Sequence, residues 1–254
     1  MLYIKNGFIV RSEGFNYHQN IGNFRDQAAR YNQWNCDELI FIDISREKTY
    51  DIRRDDMKVK TLGSMVDIVS EISKVCFTPL TCGGGIRTVE DAEAFVRNGA
   101  DKVTVNTGAW MYPRLIKRIA RKLGSQCVVV SVDYKMQEGT PVVFVNHGTV
   151  DTGMSLFSWL HHCEGEGAGE FMLNAIDRDG QANGFDYPTI TTVCNMASVP
   201  VIACGGAGDE FDFLDLAENT HAAGLAAGNY FHFTEQSYPR LKKFLVQKGV
   251  NVRP

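Results

Sequence analysis

Three aspartates stand at or just past the ends of apolar runs, where side chains could carry acid–base chemistry. Asp43 ends the run IFID, Asp133 ends the run VVVSVD, and Asp179 follows a third apolar run. A partly buried carboxyl group has a raised pKa, which suits it to proton transfer near neutral pH. For any one of the three, a role as a loop cap or salt-bridge partner is equally open.

Two glycine clusters have the pattern of anion sites. CGGGI covers residues 82–86 and CGGAG covers residues 204–208, and each cluster is followed one strand later by an asparagine, Asn106 or Asn229. Glycines between a strand and a helix leave backbone N–H groups open to an oxygen-rich anion, and the helix dipole favours negative charge there. One such turn is often only a tight loop. Two in equivalent positions predict two phosphate half-sites on opposite sides of one mouth.

Three charged residues stand at the opposite ends of the same runs. Glu38, Lys102 and Glu170 each lie at or just before the start of an apolar segment. Such residues could form an ion-pair ring that only stabilises the fold. A charged ring at that end could also gate a passage along the axis, and the residues alone leave both possibilities open.

The chemistry-bearing residues belong to a regular alternation of elements. Eight short β-branched runs predict strands at 2–4, 39–43, 79–82, 102–106, 127–133, 170–174, 201–204 and 222–226. Segments of helical period predict helices at 27–34, 63–74, 89–98, 113–122, 155–166, 188–196, 210–218 and 238–247. Eight strand–helix units favour one α/β domain over residues 1–254, a (β/α)8 barrel. Segments that match in the same order in the two halves, such as the glycine clusters at 82–86 and 204–208 followed by Asn106 and Asn229, predict that the barrel is built from two similar half-barrels.

Two connections are longer than the rest. Residues 45–62 are rich in charge, and residues 135–154 include a strand-like piece at 141–146. Both follow predicted strands, so both are expected on the face that carries the three aspartates. The charge run is as well explained by a solvated loop as by a role with substrate or partner.

Composition excludes several classes of function. The chain has 254 residues, 44% hydrophobic, with a net charge of −4, which gives no basis for binding nucleic acid. Seven cysteines form no Cys-x-x-Cys pair and the six histidines show no ligand spacing, so we expect no metal, and no motif indicates a cofactor. The start of the chain lacks a signal-peptide core, and no apolar stretch is long enough for membrane insertion. We expect a cytoplasmic protein.

At this level of detail the sequence resembles a known family. The segments DELIFIDIS, PLTCGGGIRTVEDA, GADKVTVNTGA, LGSQCVVVSVDYK, GAGEFMLNAIDRDG, VPVIACGGAG and YFHF look like the cyclase subunit of imidazole glycerol phosphate synthase, HisF. The resemblance runs from about Asn6 to the C-terminus. It implies a glutaminase partner of the HisH type at the amino ends of the strands, with ammonia passing through the barrel axis to a phosphorylated small-molecule substrate at the mouth.

The resemblance also implies roles for individual residues. The ammonia gate and passage match Glu38, Thr81, Lys102 and Glu170, and the partner interface matches Asp101 and Gln126. The phosphate half-sites match Gly85, Asn106 and Thr107 on one side, and Asp179, Gly180, Gly206, Gly228 and Asn229 on the other. Asp133 matches the general acid, and we place Asp43 in the substrate site with it.

The chain departs from the family's pattern in the first strand. The family carries a second catalytic carboxylate there, whereas this sequence has Tyr3, and a phenol with a pKa near ~10 is no base at neutral pH. A loop lysine of the family is replaced by Arg11, which we still expect in the catalytic site because it binds phosphate. The residues that usually precede this strand, including a basic gate residue, have no counterpart, so we expect either a late start of the chain or a shortened first strand.

These departures favour a particular branch of the family. Loss of one carboxylate with the other motifs intact looks like the HisF-like branch tied to acetamidino-sugar modification (the AglZ type, in lipopolysaccharide and other surface-glycan synthesis). The leading hypothesis is therefore ammonia delivery for amidination of a nucleotide-linked N-acetyl sugar, with a separate sugar amidotransferase. The alternatives are imidazole glycerol phosphate synthase itself, in histidine biosynthesis, and a non-catalytic barrel that scaffolds a glutaminase.

Overall fold

A computed structural model describes residues 1–50 and 62–253 of the chain. Its strands are β1 Leu2–Lys5, β2 Phe8–Glu13, β3 Tyr17–Gly22, β4 Leu39–Asp43, β5 Leu80–Gly83, β6 Lys102–Val105, β7 Val128–Gln137, β8 Thr140–Val145, β9 Val150–Ser155, β10 Glu170–Ala175, β11 Val201–Cys204 and β12 Gly224–Leu225. Its α-helices are α1 Phe24–Gln33, α2 Met65–Ile72, α3 Val89–Arg97, α4 Thr107–Met111, α5 Leu115–Leu123, α6 Leu156–Glu166, α7 Tyr187–Met196, α8 Glu210–Asn219 and α9 Ser237–Gln247.

Eight of the strands form the predicted (β/α)8 barrel. They pair in parallel in the order β12, β11, β10, β7, β6, β5, β4 and β1. The Met1 amino group donates a hydrogen bond to the Ala227 carbonyl at 3.0 Å, which joins the first strand to the segment after the last. The eight predicted strands are all present, and β1 has four residues, as many as β5, β6 and β11.

Alternation along the strands separates two apolar layers, because successive side chains point to opposite faces. Ile40, Val129, Met172 and Ile202 form a cluster with neighbours inside the barrel. A much larger buried cluster fills the space between the strands and the surrounding helices. The residues on the inner faces therefore define an axis that runs from the amino ends of the strands to their carboxyl ends. We call the end of the barrel at the carboxyl ends of its strands the mouth.

The helices that follow the two glycine clusters begin in the same way. Helix α3 starts with a capping box of Thr88 and Asp91, and α8 starts with one of Asp209 and Asp212. Each cap satisfies N–H groups that have no partner inside the helix. The shared cap at equivalent places agrees with the predicted similarity of the two halves.

The structure adds elements that the sequence patterns did not indicate. Strands β2 and β3 form an antiparallel hairpin directly after β1, and the short helix α4 follows β6. The strand-like piece predicted at 141–146 is β8, which β9 extends into a second antiparallel pair. Most of the charged connection at 45–62 lies outside the described residues. Within the described ranges, every helix is too short or too polar to cross a membrane.

Candidate functional site

Asp133 lies at the mouth, near the middle of the long strand β7. Its Oδ2 accepts a hydrogen bond of 2.7 Å from Asn106 Nδ2 at the end of β6. Burial raises the pKa of Asp133 to about 7, the Asn106 hydrogen bond opposes that rise, and the charge of Asp179 adds to it. A carboxyl group with a pKa near 7 can both give and take a proton at neutral pH.

Tyr3 faces the same space from β1. Its hydroxyl accepts a hydrogen bond of 3.1 Å from Asn174 Nδ2 on β10, and only 6% of the residue is exposed. Burial, together with the charges of Asp179 and Asp133, raises the pKa of Tyr3 well above its usual value. The phenol is therefore protonated at neutral pH, and it offers a neutral hydroxyl at the position where the resemblance implies a carboxylate.

The first predicted phosphate half-site is open at its central glycine. Gly85 has a φ of +66°, and no described heavy atom lies within 4 Å of the place where its Cβ would be. Gly84 differs, because a Cβ there would lie 2.2 Å from the Asp43 carbonyl oxygen. Thr107 begins α4, and its Oγ1 accepts a hydrogen bond from the Asn146 backbone at 2.9 Å. The site can admit an anion at Gly85, although the Asn106 amide is already bonded to Asp133.

The second predicted half-site is covered by the β2–β3 hairpin. Ser12 Oγ donates to Asp179 Oδ2 at 3.2 Å, and Asn229 Nδ2 donates to the Ser12 carbonyl at 2.6 Å. The Gly14 N–H also donates to the Asp179 carbonyl at 3.0 Å. Burial raises the pKa of Asp179 to about 6. The polar groups that we predicted to hold phosphate therefore hold the hairpin in this structure.

The glycines of the second half-site serve close backbone packing. A Cβ on Gly206 would lie 2.1 Å from the Gly184 carbonyl oxygen, and one on Gly180 would lie 2.9 Å from the Ser12 carbonyl oxygen. A Cβ on Gly228 would touch the Tyr3 ring at 3.6 Å. The first two contacts require glycine whatever binds there, whereas the contact at Gly228 is an ordinary van der Waals distance. A phosphate role for the three glycines stays a prediction.

Arg11 is not brought to Asp133. Its Nη2 lies 2.9 Å from Glu13 Oε2, and its guanidinium lies 5.4 Å from the centre of the Phe233 ring. Neighbouring side chains of a strand point to opposite faces, so Arg11 faces away from the side on which Ser12 meets Asp179. Its contacts give no support to the predicted catalytic role.

Asp43 orders the loop that follows β4. Its Oδ1 accepts from the Ser45 backbone at 2.8 Å, and its Oδ2 accepts from the Tyr50 hydroxyl at 2.8 Å. Burial raises the pKa of Asp43, and these hydrogen bonds oppose the rise. Both carboxylate oxygens have partners in the loop, which is the loop-cap role that the sequence left open. A substrate role remains a prediction.

The three charged residues at the amino ends of the strands meet in one ion triad. Lys102 Nζ lies 2.8 Å from Glu170 Oε2 and 3.4 Å from Glu38 Oε2. Burial alone would lower the pKa of Lys102, but the hydrogen bonds and charges of Glu170 and Glu38 together outweigh it and raise the pKa. Thr81, which is buried, pairs in register with Lys102 on the neighbouring strand. The triad therefore lies at the end of the axis opposite Asp133.

Two further residues lie at the amino ends of the strands. Asp101 and Gln126 are both exposed, just ahead of β6 and β7. Asp101 Oδ2 also accepts a hydrogen bond from the Leu80 backbone at 2.7 Å. Their exposure at one end of the barrel is what a docking surface needs, and the interface itself stays a prediction.

Sequence reasoning missed two residues of the mouth, Asn174 and Ser12. Asn174 lies four residues beyond Glu170 on the same face of β10, a spacing that alternation could have revealed. Ser12 meets Asp179 only because the hairpin folds back, and no local signal predicts that contact. Within the described residues, no group of three or more histidine, cysteine, aspartate or glutamate side chains is arranged to hold a metal.

Comparison with known proteins agrees with the architecture. Residues 1–237 match a family model described as histidine biosynthesis protein. The imidazole glycerol phosphate synthase subunit HisF of Natranaerobius thermophilus is 38% identical over 252 residues, which cover 99% of this chain and 96% of the relative. The same subunit of Streptococcus gordonii is 38% identical over 253 residues, with the same coverage, and that of Hydrogenobaculum sp. is 36% identical. This barrel, with its buried acid at one end and its ion triad at the other, therefore belongs to the HisF family of histidine biosynthesis proteins.

Proposed function

We propose that the chain is the synthase subunit of a glutamine amidotransferase complex. A HisH-like glutaminase docks at the amino ends of the strands, and its ammonia passes the ion triad and moves along the axis to a phosphate-bearing substrate at the mouth. One observation carries the proposal. Charged gate residues and a buried acid with a pKa of about 7 stand at opposite ends of one barrel.

Asp133 is the group best suited to the chemistry. Its pKa gives a mixture of acid and carboxylate at neutral pH, and Asn106 fixes its orientation. It can therefore protonate a leaving oxygen or take a proton from attacking ammonia. Residues of this kind contribute on the order of 10² to 10⁴-fold to a rate.

The relatives favour one reaction for this site. Their shared name is that of an imidazole glycerol phosphate synthase subunit, and the similarity covers 99% of this chain. On that basis the substrate is a ribulosylamine-type nucleotide, and its product with ammonia is imidazole glycerol phosphate. Its two phosphates would lie at Gly85 and at the half-site under the hairpin.

A second candidate rests on Tyr3 alone. A protonated phenol replaces the first-strand carboxylate, so the mouth has one cyclisation carboxylate fewer than the family's pattern. That loss favours a different acceptor, such as the N-acetyl group of a nucleotide-linked sugar, with a separate sugar amidotransferase. The relatives' names give this candidate no support.

One assay separates the two candidates. The purified chain is given the ribulosylamine-type nucleotide and ammonium chloride at alkaline pH, with a histidine-pathway relative as positive control. Formation of imidazole glycerol phosphate at a comparable rate supports the first candidate and excludes the second.

No product in that assay, together with ammonia-dependent amidine formation on a nucleotide-linked N-acetyl sugar, supports the second candidate. If Asp133→Asn leaves the yield of either product unchanged, the barrel is a scaffold and the catalytic proposal is wrong.

A further inference from the structure

Asn174 carries a buried acceptor that nothing in the described structure satisfies. The residue is 2% exposed, and its Oδ1 has no hydrogen-bond partner. An unpaired buried carbonyl oxygen costs stability, and native proteins keep few of them. An oxygen left in this state at a candidate active site is a candidate binding group.

Strand β10 places that oxygen on the axis. Glu170, Met172 and Asn174 are alternate residues of the strand, so they share one face. Glu170 belongs to the ion triad, and Met172 lies in the apolar cluster inside the barrel. Asn174 is the next inward position, level with Asp133 in the register of β10 with β7. A small molecule that passes the triad and the apolar lining reaches Asn174 beside the buried acid.

Two neighbours fix the amide and leave its oxygen open. The Tyr3 hydroxyl accepts a hydrogen bond from Asn174 Nδ2 at 3.1 Å, so the nitrogen of the amide has a partner and the oxygen is its unpaired end. A Cβ on Gly205 would lie 2.9 Å from Oδ1, so the glycine keeps that position uncovered. The unpaired oxygen is therefore held in one orientation.

We propose that Asn174 Oδ1 accepts an N–H hydrogen bond from ammonia as it leaves the barrel axis, with Tyr3 as the positioning residue that orients the amide. This inference rests on the proposed ammonia route. A neutral acceptor suits the role, because it binds one N–H and leaves the lone pair of ammonia free to attack. A carboxylate at this position would instead favour ammonium, whose lone pair is already protonated.

The kinetic test varies ammonium chloride at a saturating level of whichever nucleotide substrate is turned over. Asn174→Leu keeps the shape of the side chain but removes the acceptor, and we expect it to raise the KM for ammonia by about 10-fold, the loss of one hydrogen bond. The KM for the nucleotide should change by less than about 2-fold. Tyr3→Phe should raise the KM for ammonia by a smaller factor. Asn98→Leu, the same change on a helix end, is the matched control.

A binding measurement separates this inference from the proposed function. The side-chain amide of Asn174 is observed by NMR in the full chain, assigned with Asn174→Leu, during titration with ammonium chloride against sodium chloride at the same ionic strength and alkaline pH. A saturable shift with ammonium chloride alone, weakened in Tyr3→Phe, supports the inference even if no substrate is turned over. The absence of a saturable shift, or equal KM changes for ammonia and nucleotide, overturns it while leaving the proposed function intact.

Discussion

At the residue scale, the properties of Asp133 come from its surroundings more than from its type. Its usual pKa is near ~3.9, and burial at the mouth raises it to about 7. Asn106 prevents a larger rise by stabilising the charged form. The resulting mixture of protonation states is what general acid–base catalysis requires, and the same burial makes the ionised form costly to the fold.

That cost predicts a pH dependence of stability. The folded pKa of Asp133 lies above its unfolded value, so its contribution to the free energy of unfolding is full below pH ~4 and is lost as the pH rises to about 7. We expect Asp133→Asn to remove this loss, because Asn keeps an oxygen that can accept from Asn106. Urea unfolding of both proteins at pH 5 and pH 8 measures it. The free energy of unfolding of the variant minus that of the wild type should be larger at pH 8 than at pH 5, by up to a few kcal/mol. The same difference at both pH values would contradict the assigned pKa.

Sequence patterns located Asp133 but not the pair of Tyr3 and Asn174. An aspartate that ends an apolar run is visible locally, because the run predicts the strand and the strand predicts the mouth. The hydrogen bond between Tyr3 and Asn174 joins residues that are 171 positions apart. It exists only because the barrel curves β1 and β10 toward one axis, so no window of sequence contains it.

At the element scale, the β2–β3 hairpin is the largest difference between expectation and structure. Strand β3 has no buried residue, with three of its six residues exposed and three half-buried, so it lacks the alternation that identifies a strand. The barrel strands were predictable because their β-branched residues are buried on both faces. Strand pairing joins the hairpin to β1, and hydrogen bonds that involve Asp179 and Asn229 hold residues 12–14 at the mouth.

These hydrogen bonds predict that the hairpin and a phosphate compete for the second half-site. Ser12→Ala removes one bond to Asp179, worth about 1 kcal/mol, and should speed amide exchange across residues 8–22 by roughly 5-fold. Hydrogen–deuterium exchange with mass spectrometry measures this, with Ser73→Ala at the other end of the barrel as control. Glycerol phosphate should speed exchange of the same peptides in the wild type. Unchanged exchange in both experiments would show that the hairpin does not depend on these contacts.

At the scale of the whole molecule, the barrel separates two kinds of surface. The mouth carries the acid and the predicted half-sites, whereas the amino ends carry the triad and the exposed residues Asp101 and Gln126. This division was predictable, because parallel strands place all their starts at one end. Under the proposed function, the partner and the substrate lie at opposite ends of the same axis.

A docking prediction follows from that division. Asp101→Arg with Gln126→Arg reverses charge and adds bulk at the amino ends, and we expect the affinity for the glutaminase partner to fall at least ~10-fold through lost charge complementarity and steric conflict. Surface plasmon resonance with the purified partner measures the affinity. Ammonium-driven turnover should stay unchanged, and Glu138→Arg, in the turn between β7 and β8, is the control. An undiminished affinity would show that the partner binds at another surface of the barrel.

The ion triad supports the sharpest prediction for the molecule as a whole. Lys102→Met keeps most of the length of the side chain but removes the charge that Glu38 and Glu170 share, so the two carboxylates face each other without a cation. In a complex with the glutaminase, we expect glutamine-driven product formation to fall by about 10-fold or more while turnover with ammonium chloride, which enters from the mouth, stays within about 2-fold. Lys122→Met, which breaks an exterior ion pair of 3.1 Å with Glu93, is the matched control. Equal losses in the two assays would assign the triad to stability, whereas a selective loss of the glutamine-driven rate makes it the entrance of the passage that ends at Asn174.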